Sequence, residues 1–307
     1  MNSLKTIKLI QVRSPRRGCP EMFELLSSDF GSSRFEQSIE VVGPSTRPSQ
    51  ISADRVGLSL EELMSDFKDS DSSILYLFFG GNGTRKAMPS FGSAKLPVVF
   101  IESTHDYGMR AQPEKTFGYT SAIETLTTNA RDYFEKQGKP SIFITPGREK
   151  NGLAARVAIA LNNRFQKDFN YARTLFELSQ SLRASRAVVI SEAFSRYFGH
   201  DLESSVTSFP LEKQLKDFLA KEEVPLNALT RVTGPELEKM DYTFSSQDQS
   251  MVELMAHELS VFINELNRGE EEALVCRREH LLNYGKGGFV YYLGDRVQSR
   301  SSQWGSL

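Results

Sequence analysis

The sequence predicts an α/β protein built from repeated βα units around a mostly parallel sheet. Short apolar runs alternate with longer amphipathic ones from one end of the chain to the other, which is the pattern such units leave. The 307 residues are 39% hydrophobic and 25% charged, a globular composition with ample material for a buried core. That length suits one large domain or two ordinary ones of roughly 150 residues each. No internal repeat and no long low-complexity tract competes with this reading.

In chain order, Ile-Lys-Leu-Ile-Gln-Val at 7–12 reads as the first strand and 20–26 as a helix. A strand at 38–42 and a Gly/Pro/Ser-rich linker at 43–50 follow, then a helix at 59–69. The aromatic and branched runs at 74–79 and 98–101 are strands, with linkers at 89–95 and 107–114. Next come a helix at 120–137, a strand at 141–145 and helices at 153–164 and 171–183. A strand at 187–190, helices at 211–221 and 249–266, and a strand at 289–293 complete the pattern, and the tail at 298–307 is polar.

Charge and cysteine use narrow the classes of function. The 37 basic residues nearly cancel the 39 acidic ones, for a formal charge of -2, so there is no global footprint for nucleic acid or an anionic membrane. Cys19 and Cys276 are the two cysteines and lie far apart, which fits a reducing compartment and builds no metal cluster. His200, His257 and His280 are scattered without ligand spacing, so no metal-ligating residue is assigned. With no apolar run of about 18 residues and no signal-peptide core at the N-terminus, the expectation is a soluble, cytoplasmic protein.

Three strand-to-loop junctions carry candidate chemistry. After the strand at 74–79, Gly80-Gly81-Asn82-Gly83-Thr84-Arg85-Lys86 forms a glycine-rich turn whose bare backbone lets amide groups approach an anion. A tight turn with no ligand is the alternative for such a segment alone. At Thr145-Pro146-Gly147-Arg148, Arg148 is placed for a bidentate phosphate or carboxylate contact, or as an ordinary surface arginine. Between them, Glu102-Ser103-Thr104-His105-Asp106 gathers polar groups at the end of a strand, where open parallel sheets bind ligands. Asp106, His105 and Glu102 are each able to take a proton from a hydroxyl.

Taken in order, these segments resemble the phosphofructokinase family. Gly80-Gly81-Asn82-Gly83-Thr84 resembles its G-G-D-G-T turn, and the stretch 97–108 is similar to P-V-x-x-I-x-x-T-I-D-N-D, with Thr104 and Asp106 in the threonine and first aspartate places. Thr116-Phe117-Gly118-Tyr119-Thr120-Ser121-Ala122 resembles T-F-G-F-D-T-A. Gly147-Arg148 matches the end of M-G-R, and Ser191-Glu192-Ala193 resembles the family's S/A-E-G segment.

The resemblance implies two Rossmann-like α/β lobes with a cleft between them. A nucleotide lobe would span 1–138, with about 249–307 returning to it, and a substrate lobe 139–248. It implies ATP as donor, a sugar or sugar phosphate as acceptor, and a homo-dimer or tetramer. Asp106 becomes the base, with Thr104 and Arg148 beside it in the catalytic set. Gly80, Gly81, Asn82, Gly83, Thr84, Arg47 and Arg85 fall to the nucleotide, and Glu192, Gly147, Lys139 and Arg231 to the substrate. Lys139 takes the place of an arginine that reaches in from a neighbouring subunit.

The motifs also depart from the family pattern. Asn82 stands where an acidic residue serves Mg, and Gly108 replaces the second aspartate of D-N-D. Arg16, Arg17 and Glu21 fall in the first glycine loop. A neutral amide offers Mg a poorer ligand than a carboxylate does. Arg16, Arg17, Arg85 and Lys86 would supply compensating positive charge. Two readings follow: a divergent phosphotransferase, or a paralogue without full turnover that serves as a regulatory subunit or small-molecule sensor. A third starts from the glycine turn alone, since lipid kinases and NAD kinases also carry G-G-D-G-T.

Overall fold

The computed structural model describes residues 6–12, 36–42, 55–58, 74–80, 98–102, 118–147, 152–165, 168–201, 208–240, 281–283 and 289–292, with single positions between 246 and 260. The helices expected at 20–26 and 59–69, most of that at 249–266, the three linkers and the polar tail lie outside these residues. By their contacts the described elements fall into two units.

The first unit holds a seven-stranded sheet of β1 (Thr6–Val12), β2 (Glu36–Val42), β3 (Arg55–Leu58), β4 (Ile74–Gly80), β5 (Val98–Glu102), β10 (Leu281–Asn283) and β11 (Phe289–Tyr292). Its order is β10-β11-β5-β4-β1-β2-β3, and each neighbouring pair is parallel except β10 with β11. β4 and β5 run in register with Gly80 opposite Glu102, so they end side by side.

The second unit is a three-layer α/β/α sandwich. Its sheet comprises β6 (Ser141–Thr145), β7 (Phe169–Tyr171), β8 (Ala187–Ser191) and β9 (Ala228–Arg231), in the order β7-β8-β6-β9 and parallel throughout. Every residue of β6 and β8 is buried, as a parallel sheet covered on both faces requires. One face packs Phe143, Ala187 and Val189 against α1 (Tyr119–Gln137), α2 (Leu153–Phe165) and α5 (Gly234–Lys239). The other packs Ile142, Ile144, Val188 and Ile190 against α3 (Leu175–Arg183) and α4 (Leu211–Lys221).

Helical spacing explains these faces. Ala122, Leu126, Ala130 and Phe134 recur every fourth residue along α1, and Leu211, Leu215 and Leu219 do so along α4. α1 stops at Gly138, whose φ of 72° lets its N–H return to the Phe134 carbonyl at 3.0 Å. This helix belongs by contact to the second unit, whereas the boundary read from sequence falls after it, at 138. Its apolar stripe is packed with α2 and Phe143, which ties it to this sheet.

All the expected strands are present, within two residues at each end. Four more were not expected: β3, β7, β9 and β10, each three or four residues long. The helix expected from 171 instead starts at Leu175, and Tyr171 ends strand β7. Thr174 sets that start, its hydroxyl accepting from the Glu177 N–H at 3.1 Å. Among the described residues no helix is long and apolar enough to cross a membrane.

Candidate functional site

The connections in the second unit fix where a ligand would bind. From β6 the chain crosses on the α2 face towards β7, and from β8 it crosses on the α4 face towards β9. Adjacent strands whose connections leave on opposite faces open a crevice at their carboxyl ends, and in open α/β sheets ligands settle there. β6 delivers Pro146 and Gly147 to that crevice, and β8 delivers Ser191 and Glu192. β9, on the far side of β6, ends in Arg231.

These groups form one network. The Gly147 N–H donates to Glu192 Oε1 at 3.1 Å, while Arg231 Nη2 donates to Glu192 Oε2 at 3.0 Å. Ser191 Oγ donates to the Gly147 carbonyl at 2.5 Å and accepts from the Ala193 N–H at 3.1 Å. Arg231 Nη1 also donates to the Phe209 carbonyl at 2.9 Å and lies 3.5 Å from Glu212 Oε2, just inside α4. The Arg231 side chain is 3% exposed and that of Glu192 8%, so this is a buried ion pair. Burial of this kind is tolerable because each charge has an opposite partner and hydrogen bonds besides.

Local geometry holds the network in place. Gly147 has φ of 119°, a conformation that L side chains rarely adopt, and this turns its N–H towards the carboxylate. Glu192 opens a short 3-10 helix, Glu192–Phe198, for which Ser191 is the cap. Gly199, with φ of 77°, closes it, and its N–H reaches the Arg196 carbonyl at 3.2 Å. Both Glu192 carboxylate oxygens and both Arg231 Nη atoms are thus engaged within the chain.

Of the substrate residues expected from sequence, Gly147, Glu192 and Arg231 are brought together, whereas Lys139 precedes β6 at the opposite end of that strand. Gly80 closes β4 beside Glu102 of β5. Gly81, Asn82, Gly83, Thr84, Arg85, Arg47, Thr104, Asp106 and Arg148 lie outside the described residues. Sequence reasoning did not assign Ser191 a role. The signal was available, because a serine immediately after the buried run 187–190 and two residues before Ala193 is a capping position.

No family model matches the chain, and no curated protein matches it in sequence. Among solved structures, it resembles the T-state crystal structure of Pichia pastoris phosphofructokinase. The TM-score is 0.54 at 12% identity, over 88% of this chain and 34% of that one. The likeness is one of fold: this chain has a phosphofructokinase-like α/β architecture with parallel sheets. It spans about a third of that protein's length.

Proposed function

We propose that the chain is a divergent phosphotransferase that moves a phosphoryl group from ATP to a hydroxyl of a sugar or sugar phosphate. The observation that carries this reading is the crevice between β6 and β8. There, three of the four residues that the motif resemblance gives to the substrate share one hydrogen-bond network in a phosphofructokinase-like fold. In this reading Gly147, Glu192 and Arg231 orient the acceptor through its hydroxyls. Thr104 and Arg148 flank the reacting hydroxyl. Asp106 takes the hydroxyl proton as the oxygen attacks the terminal phosphorus of ATP; the bond to the bridging oxygen breaks and ADP leaves.

Gly80 to Thr84 would cradle the donor's phosphates, with Arg47 and Arg85 adding positive charge where Asn82 offers Mg a poorer ligand than a carboxylate would. Lys139, at the other end of β6, would serve a neighbouring subunit of a homo-oligomer in the cytoplasm. A coupled phosphoryl-transfer assay over a panel of sugars tests the proposal. Asp106→Asn is expected to lower turnover by roughly 10²- to 10⁴-fold, the range for loss of a general base. Unchanged turnover in that variant removes Asp106 from the role.

One observation favours the sensor reading instead. The Glu192 carboxylate is already bonded to the Gly147 amide and to Arg231 within the chain. A clamp closed on itself suits a paralogue that binds a ligand without turning it over. Saturable sugar phosphate binding with no phosphoryl transfer across the panel would select this second reading.

A further inference from the structure

On the other side of the β8 end from Arg231 lies a pocket of about 150 Å³, lined by Tyr171, Arg173, Ser191, Ala193, Phe194, Arg196 and Tyr197. Its floor is the carboxyl end of β7 and β8, and its wall is the 3-10 helix Glu192–Phe198. That volume is the size that holds a single benzene ring when the walls are apolar. Three of the lining side chains are aromatic rings, and Phe194 and Tyr197 meet edge to face at 5.4 Å between centroids.

The wall is fixed rather than loose. Tyr197 Oη donates to the Arg173 carbonyl at 3.0 Å, which pins the helix to the loop after β7. At the rim, Arg173 and Arg196 are exposed, and among the described residues neither guanidinium has an ion-pair partner. Glu177, four residues from Arg173, accepts from the Arg173 backbone N–H at 2.6 Å, and Glu192, four residues from Arg196, is bonded to Gly147 and Arg231. The pocket lining therefore carries two cations and no carboxylate. The Arg173 guanidinium lies 5.8 Å from the centre of the Tyr171 ring. Tyr197 keeps 41% of its surface exposed.

We infer that this pocket binds a single planar aromatic ring carrying an anionic group, a phosphate or a carboxylate, with the ring between Tyr171, Phe194 and Tyr197 and the anion on Arg173 and Arg196. The site is separate from the Glu192–Arg231 crevice and does not depend on phosphotransfer, although Ser191 borders both.

Titration calorimetry on the full chain tests it with four probes: phenyl phosphate, benzoate, cyclohexyl phosphate and inorganic phosphate. Phenyl phosphate, benzoate or both are expected to bind at least about tenfold more tightly than inorganic phosphate, since only they fill the ring volume. The tighter of the two identifies the anion. Cyclohexyl phosphate, with a puckered ring, is expected to be weaker than phenyl phosphate. Arg173→Ala and Arg196→Ala, both at exposed positions, are each expected to weaken binding about tenfold. Arg164→Ala, on α2 and paired with Glu124 at 3.7 Å, is the control and leaves affinity unchanged.

Ala193→Leu, which puts bulk into the pocket without touching charge, is expected to abolish binding while phenyl phosphate still fails to discriminate the control from wild type. Binding of both phenyl phosphate and benzoate no tighter than that of inorganic phosphate, an unaltered constant in the Arg173→Ala/Arg196→Ala double variant, or no binding of either aromatic anion at millimolar concentration overturns the inference.

Discussion

Two sets of arginines flank the end of β8, and they are built differently. On one side Arg231 is buried, bonded to Glu192 and the Phe209 carbonyl, and within reach of Glu212. On the other, Arg173 and Arg196 stand exposed beside aromatic rings, with no ion pair among the described residues. A buried cation left without a partner is strongly destabilising, so the matched Arg231 helps to hold neighbouring segments together. An exposed cation loses little free energy by standing alone in water, so Arg173 and Arg196 are available to an incoming anion.

Removing one partner of the buried pair is the most severe way to break this comparison. Arg231→Ala is expected to cost about 3 to 5 kcal/mol, because Glu192 is left charged among neighbours that exclude water. Urea denaturation reads the loss, and pairing the change with Glu192→Gln should recover much of it. Less costly is Gly147→Ala, which forces a side chain into a φ of 119°. The expected penalty is about 1 to 3 kcal/mol, measured in the same way.

On the exposed side the effects shrink and change character. Burial holds the Tyr171 phenol above its ordinary pKa, while the Arg173 charge pulls it back down. Arg173→Ala should therefore raise that pKa further, as ultraviolet titration against a Tyr171→Phe blank would show. A raised phenol pKa means the folded state holds its proton longer than the unfolded chain. The associated stability is complete below the unfolded value of about 10 and is lost as pH climbs through the folded one. Smallest of all, Arg196→Ala should alter unfolding free energy by no more than about 0.5 kcal/mol, in contrast to Arg231→Ala.

How much of this was legible in the sequence depends on how many residues carried each signal. β4, β6 and β8 were readable from unbroken apolar runs of six, three and four residues, and β1 from the Ile, Leu, Ile and Val of its seven. β7, Phe-Asn-Tyr, and β9, Ala-Leu-Thr-Arg, offer three or four residues with no clear alternation, and their places are set by pairing with β8 and β6. The start of α3 and all of α5 could have been found. Thr174 with Glu177, and Thr233 with Pro235 and Glu236, are helix-start signatures that each span four residues.

The site divides along the same line. Glu192 and Gly147 were reached through short motifs next to clear strands, and the structure joins them directly. Arg231 was assigned to substrate by its place in the chain, yet its bond to Glu192 spans 39 residues of sequence. No local pattern reports a contact of that length. The aromatic pocket was missed for a related reason: Tyr171 and Tyr197 sit in different elements, and only the parallel pairing of β7 with β8 brings those elements side by side.

The anchoring of β9 has a further consequence. A strand on the border of a sheet would ordinarily open first and offer its backbone to any other chain passing by. Here Arg231 fastens that strand to Phe209, two residues before α4, and to the helix after β8, while the Val232 N–H holds the Ile144 carbonyl at 2.9 Å. Those of its amides that bond to β6 should exchange with deuterium no faster than the bonded amides at the centre of the sheet, so the border strand keeps its place with no proline or lysine in it.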